Sequence, residues 1–98
     1  MATLYKFTDP NDAFALCTET EVSPKNGTDF SLEELKSFVD GWIEIVDLMD
    51  GRLMVVNEER KLLGLPMNLL ATVEYQKAHG PIDQIVGNAL VCKKGEII

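Results

Sequence analysis

Apolar and polar residues change their period along this chain, and each change marks an element. From Thr3 to Thr8, Leu4, Tyr5 and Phe7 are set against Lys6 and Thr8, which predicts an opening strand, and Asp9-Pro10-Asn11-Asp12 breaks it. Ala13 to Val22 fits a short helix running into a strand, or one strand whose second half sets Cys17, Glu19 and Glu21 against Thr18, Thr20 and Val22. A strand at its end is the reading taken. Ser23-Pro24-Lys25-Asn26-Gly27 has no period and is turn chemistry, so a surface loop follows.

Helical spacing begins at residue 31. Ser31 and Glu34 form an S-x-x-E capping box, while Phe30 and Leu35 have the separation of a hydrophobic staple. Leu32, Leu35, Phe38 and Val39 then recur on one face, and Gly41 is expected to supply the left-handed residue that ends a helix over 31–40.

Trp42 to Leu48 and Leu53 to Asn57 read as two strands, with Asp50-Gly51 between them as a type I′ hairpin turn. Asn57-Glu58-Glu59-Arg60 makes a second turn, after which Lys61 to Leu65 is expected to return as a short strand that Pro66 stops. Asn68 is placed to cap a second helix running to about Ala78, and Gly80-Pro81 ends it. Ile82 to Cys92 predicts a last strand, interrupted at Gly87-Asn88 by a bulge or a close backbone approach.

These elements predict one α+β domain over 1–98: an antiparallel sheet of about four to five strands built on the 42–57 hairpin, with two helices packed on it. Leu53-Met54-Val55-Val56 is apolar on both faces of its strand, so both faces need a cover. One helix covers one side. The other requires the second helix or another subunit, which makes a homo-oligomer one expectation.

Charge narrows the partners. Nine basic residues against 16 acidic give a net charge of -7, which opposes phosphate backbones and anionic lipid, so no direct nucleic acid and no membrane are expected as partners. No apolar run approaches the ~18 residues that span a bilayer, and MATLYKFTDP lacks the basic start and apolar core of a signal peptide. A cytoplasmic protein is expected. Cys17 and Cys92 match neither a zinc nor a redox spacing, so both are read as reduced thiols with no metal.

Candidate chemistry is confined to the polar corner. Asn57, Glu58, Glu59, Arg60 and Lys61, with Asn68 closing the corner, are convergent polar groups beside Gly64 and Pro66, and suit a ligand or partner site. Turn chemistry explains the same residue types: Asn57 tolerates a left-handed turn and the charges keep the hairpin end solvated. Neighbouring Glu58 and Glu59 face opposite ways in an extended strand and cannot flank one substrate. His79 falls in the last turn of the second helix, where a capping role is expected. Trp42 and Met54 are read as core, with lining of a small-molecule pocket as the alternative. No phosphate loop, His-Glu-x-x-His or nucleophile elbow occurs, so neither an enzyme nor a cofactor is expected.

At GWIEIV, NEERKLLGLPMN and DQIVGNALVC the chain resembles a family of small proteins of unknown function, DUF3846-like, encoded by bacteriophages and integrated mobile elements. The resemblance runs from about Leu32 to Cys92, through Leu32, Glu33, Glu34 and Leu35, then Gly41 to Glu44, then Asn57 to Asn68, and Asp83, Ile85 and Gly87. Arg60 stands where the family tends to have Gly, and Leu69 where it often has Arg. The resemblance implies a mobile-element origin and a compact α+β domain, and carries no activity to transfer. From it follows the expectation of a non-enzymatic accessory protein, in a bacterial cytoplasm, that binds a host protein, in one form as a counter-defence inhibitor. The alternative is an oligomeric sponge for a nucleotide-like immune signal, with Arg52, Arg60 or Lys61 meeting phosphate. A small enzyme or an acidic DNA mimic ranks third.

Overall fold

A computed structural model of the chain describes residues 2–7, 17–59, 62, 64, 65, 67–81 and 83–97. In chain order the elements are β1 (Ala2–Phe7), β2 (Cys17–Val22), α1 (Leu32–Val39), β3 (Ile43–Asp47), β4 (Arg52–Asn57), α2 (Leu69–His79) and β5 (Ala89–Lys93), followed by one turn of 3-10 helix at Lys94–Glu96. The strands form one antiparallel sheet in the order β2-β1-β5-β4-β3. The α+β class, with five strands and two helices, is the one the hydrophobic pattern predicts. The 43–57 hairpin occupies one flank of the sheet, and the middle place goes to β5.

Each face of the sheet carries its own core. Ala2, Leu4, Val55, Leu90 and Cys92 point to one side and pack with Phe30, Leu35 and Val39 of the α1 region. Tyr5, Met54, Val56, Ala89 and Val91 point to the other and pack with Leu48, Ala71 of α2, and Ile85. The register follows: Leu4 pairs with Leu90 and Leu90 with Val55, so a row of one parity crosses three strands on the α1 face. Both faces of β4 are thus covered within a single chain, which removes its apolar faces as a reason for a second subunit.

The start of α1 matches its sequence signals in detail. Ser31 Oγ accepts from the Glu34 N–H at 3.2 Å while Glu34 Oε1 accepts from the Ser31 N–H at 3.1 Å. Phe30 and Leu35 are buried in the same cluster, as a staple requires. The end of α1 departs from expectation. Asp40, with φ 59°, takes the left-handed turn; a short polar side chain tolerates that conformation. Gly41 meets a different need, because a Cβ there would lie 2.8 Å from Asn57 Nδ2.

Four further expectations are corrected. The β3-β4 connection is a three-residue loop, with Leu48 N–H donating to Arg52 O at 3.0 Å, and positive φ falls on Met49 (66°) and Gly51 (90°) instead of on Asp50 and Gly51. Asp47 Oδ1 accepts from the Met49 N–H at 2.8 Å and Asp50 Oδ1 from the Arg52 N–H at 3.2 Å, so side chains supply the geometry that a two-residue turn would have taken from glycine. No strand forms among the described residues of 61–65: Leu62 and Gly64 lie in turns. The described residues of 82–88, Asp83 to Asn88, are not strand either, apart from one bridge between Val86 and Met67. Trp42 is 58% exposed and lies outside the core, with the Lys36 ammonium 4.0 Å from its ring centroid.

The close backbone approach expected at Gly87 is present. With φ 78°, it passes so near Leu65 that a Cβ would stand 2.7 Å from Leu65 Cδ1. Thr72 Oγ1 both donates to Ile85 O at 3.2 Å and accepts from Ile85 N–H at 3.0 Å, and Asn68 N–H donates to Ile85 O at 2.8 Å. The segment before β5 is therefore pinned to the first turn of α2. No described helix is long and apolar enough to cross a membrane.

Candidate interaction surface

The residues of the polar corner separate once folded. Asn57 is 3% exposed: its Nδ2 donates to the carbonyls of Val39 at 3.0 Å and Asp40 at 3.4 Å, and its Oδ1 accepts from Glu59 N–H at 2.7 Å. It caps the open carbonyls at the end of α1 from the end of β4. Asn68 is 0% exposed, and its amide joins α2, β2, β1 and the segment before β5: Oδ1 accepts from Ala71 N–H at 3.0 Å and from the Cys17 thiol at 3.1 Å, while Nδ2 donates to Tyr5 O at 3.0 Å and Gly87 O at 2.9 Å. Both asparagines, expected among the binding residues, are interior fasteners whose amides face inward.

Arg52 lies at the far end of β4 from Asn57, roughly 16 Å along the strand. Its guanidinium bonds Asp50 at 2.8 Å and Glu74 of α2 at 3.0 Å, so it ties the hairpin tip to the helix. Those hydrogen bonds, Asp50 first and then Glu74, raise the Arg52 pKa further, and the same contact holds the Asp50 carboxyl below its usual range. Glu58 and Glu59 remain exposed. Arg60 and Lys61 lie outside the described residues. The corner thus offers two surface carboxylates among its described positions.

Beside it, α2 exposes what the corner does not. Leu69 is 58% exposed, and Leu70, Val73 and the preceding Met67 are exposed with it; Leu62, between the corner and the helix, is 87% exposed. Leu69 and Val73 stand one turn apart at i,i+4, and Leu70 neighbours Val73 at i,i+3. The opposite side of α2 buries Ala71 and Thr72 against the sheet. Sequence reasoning missed this outer face. The signal for it was present, since LLATVEYQKAH spreads its apolar residues around the helix instead of gathering them into one stripe.

The end of α2 has a further tie. His79 stacks on Tyr75 with ring centroids 4.8 Å apart, and its Nε2 lies 2.7 Å from the Asp47 carbonyl oxygen. It therefore binds the helix to β3, where a cap on its own helix was expected. Asp47 is held below the ordinary carboxylate range by the Met49 N–H, and further by Lys94 at 3.4 Å and by His79. The two thiols are free, and burial raises both pKa values, that of Cys92 to about 11. Both are protonated at neutral pH and make poor nucleophiles. Among the described residues, no three His, Cys, Asp or Glu side chains converge as a metal site requires.

A comparison with protein families finds one whose description is a domain of unknown function, DUF3846, matched by residues 12–97. Comparisons with curated proteins and with solved structures find no match.

Proposed function

The chain belongs to the DUF3846 family, whose function is unknown, and from its own surface we propose a non-catalytic protein-binding module. The exposed apolar face of α2 is the observation that carries this reading. Leu69, Leu70 and Val73, with Met67 and Leu62 leading into the helix, put large apolar side chains in water where a helix packed on one side would carry polar ones. A helix face of this kind docks into an apolar groove. The neighbouring Glu58 and Glu59, in a chain of net charge -7, favour a groove with a basic rim. In the mobile-element setting that the sequence resemblance implies, the partner is a host protein, and the protein is an accessory factor that occupies it.

The test compares the wild-type chain with Leu69→Glu/Val73→Glu, both tagged and recovered from a bacterial host, with bound proteins quantified by mass spectrometry. These positions are exposed, so the variant keeps its circular-dichroism spectrum and melting temperature. A host protein enriched by the wild type and lost from the variant is the expected result. Identical profiles would remove α2 as the binding face. Strong thermal stabilisation by one member of a panel of cyclic and linear nucleotides would replace the reading with sequestration of a nucleotide-like signal.

A further inference from the structure

The sheet ends in two unlike edges. β2 presents Thr18, Glu19, Thr20 and Glu21 to solvent, a polar and acidic border. β3 reads Ile43-Glu44-Ile45-Val46-Asp47, with Ile45 46% exposed and exposed Trp42 just before it. Edge strands are commonly guarded by charged side chains, Lys above all, by Pro, by a bulge or by extreme shortness, and the charges of β3 are Glu44 and Asp47. β3 has neither Lys nor Pro and pairs with β4 in unbroken register from Ile43 to Asp47.

Parity decides which main-chain groups face outward. Leu48 N–H donates to Arg52 O at 3.0 Å and Glu58 N–H to Trp42 O at 2.8 Å, so the even-numbered residues of β3 turn their groups toward β4. Those of Ile43, Ile45 and Asp47 face away. His79 Nε2 reaches the Asp47 carbonyl from α2, and a carbonyl oxygen has a second lone pair for another donor.

We propose that β3 pairs antiparallel with β3 of a second copy about a two-fold axis at Ile45, joining two five-stranded sheets into one continuous sheet. This register sets Ile45 opposite Ile45 and Ile43 opposite Asp47, and it engages every outward group of the strand. An axis at Glu44 leaves Asp47 unused and brings two glutamates face to face, which like charges oppose. An axis at Val46 leaves Ile43 unused. With the axis at Ile45, Glu44 meets Val46. The second copy's Asp47 arrives opposite Ile43, whose side chain packs on the α1 face. The surface is separate from the outer face of α2 and does not depend on the host-partner reading.

Sedimentation equilibrium and light scattering over a concentration series test the pairing. The wild-type chain dimerises, and Ile45→Lys, which sets two ammonium groups together at the axis, weakens the dimer by at least about tenfold with an unchanged circular-dichroism spectrum. Cysteine pairing reads the register independently. In a Cys17→Ser background, Ile45→Cys forms an intermolecular disulfide under mild oxidation, because facing Cα atoms of a strand pair lie about 5.5 Å apart, while Glu44→Cys, offset beyond the ~7 Å limit, does not. A monomer at every concentration, a dimer that Ile45→Lys leaves at wild-type strength, or a disulfide at 44 and none at 45 would each overturn the proposal.

Discussion

The Asn57 amide occupies the space that a side chain at Gly41 would need: Nδ2 stands 2.8 Å from where a Gly41 Cβ would be. One residue caps α1 because the other has no side chain. Gly41→Ala is expected to destabilise the fold by about 1–3 kcal/mol through overpacking. Asn57→Ala is expected to lose a similar amount, about 1–3 kcal/mol, by leaving the Val39 and Asp40 carbonyls with one donor fewer. In the double variant the alanine at 57 makes room for the one at 41. Urea unfolding should therefore give a combined loss smaller than the sum by more than about 0.5 kcal/mol. Simple additivity would mean that the two residues do not share the space.

Asn68 sets a sharper chemical requirement. Asn68→Asp keeps the oxygen that caps α2 but turns the donor facing Tyr5 O and Gly87 O into a second acceptor, in a fully buried site. A loss of about 3 kcal/mol or more is expected, as for an unpaired buried charge. Asn68→Ser retains a capping oxygen without the charge and should lose less. Guanidinium unfolding of the three proteins checks the order, and an Asp variant as stable as wild type would show that the amide orientation is not what holds the junction.

The pH dependence has two limbs of different origin. Asp47, Asp50 and Glu34 have folded pKa values lowered by hydrogen bonds, led by those from Met49 N–H, the Arg52 side chain and Ser31 N–H respectively. Groups of this kind stabilise the fold fully above their ordinary values, 3.8 for Asp and 4.5 for Glu, and the contribution is lost as pH falls through the lower folded values. Cys92 is raised by burial, from 9.0 to about 11. Its contribution is complete below pH 9 and is lost as pH rises toward 11. Melting temperatures should form a plateau between these limbs, and Cys92→Ala should flatten the alkaline one. Cys92, 2% exposed, should react with a thiol reagent only as the protein unfolds.

The parts legible from sequence are those whose signals are local. The capping box at Ser31 and Glu34, the staple of Phe30 and Leu35, and the cap at Asn68 all act within one turn of a helix, and all appear as read. β4 reads as apolar on both faces, and Val55 and Met54 do enter opposite cores, because successive strand residues point to opposite sides. What failed depends on distant neighbours. Trp42 reads as core in composition, but the edge position of β3 leaves it in water, with the Lys36 ammonium over its ring. Asn57 reads as a surface turn residue, yet the end of α1 lies over it. Ile85 lies in the core while remaining outside any strand, because Thr72 and Asn68 supply the bonds that a ladder would. The binding corner was placed where polar residues cluster in sequence, and folding turned two of its amides inward and left an apolar helix face beside it.

The position of β5 has a consequence for how the protein is made. Its neighbours are β1 and β4, and among the described strands the pairings formed without it are those of β1 with β2 and of β3 with β4. During synthesis those pairs emerge first, each with one side unsatisfied, and neither core can close until the strand between them leaves the ribosome. The sheet is assembled from its margins inward, so its most buried strand is also the last to arrive.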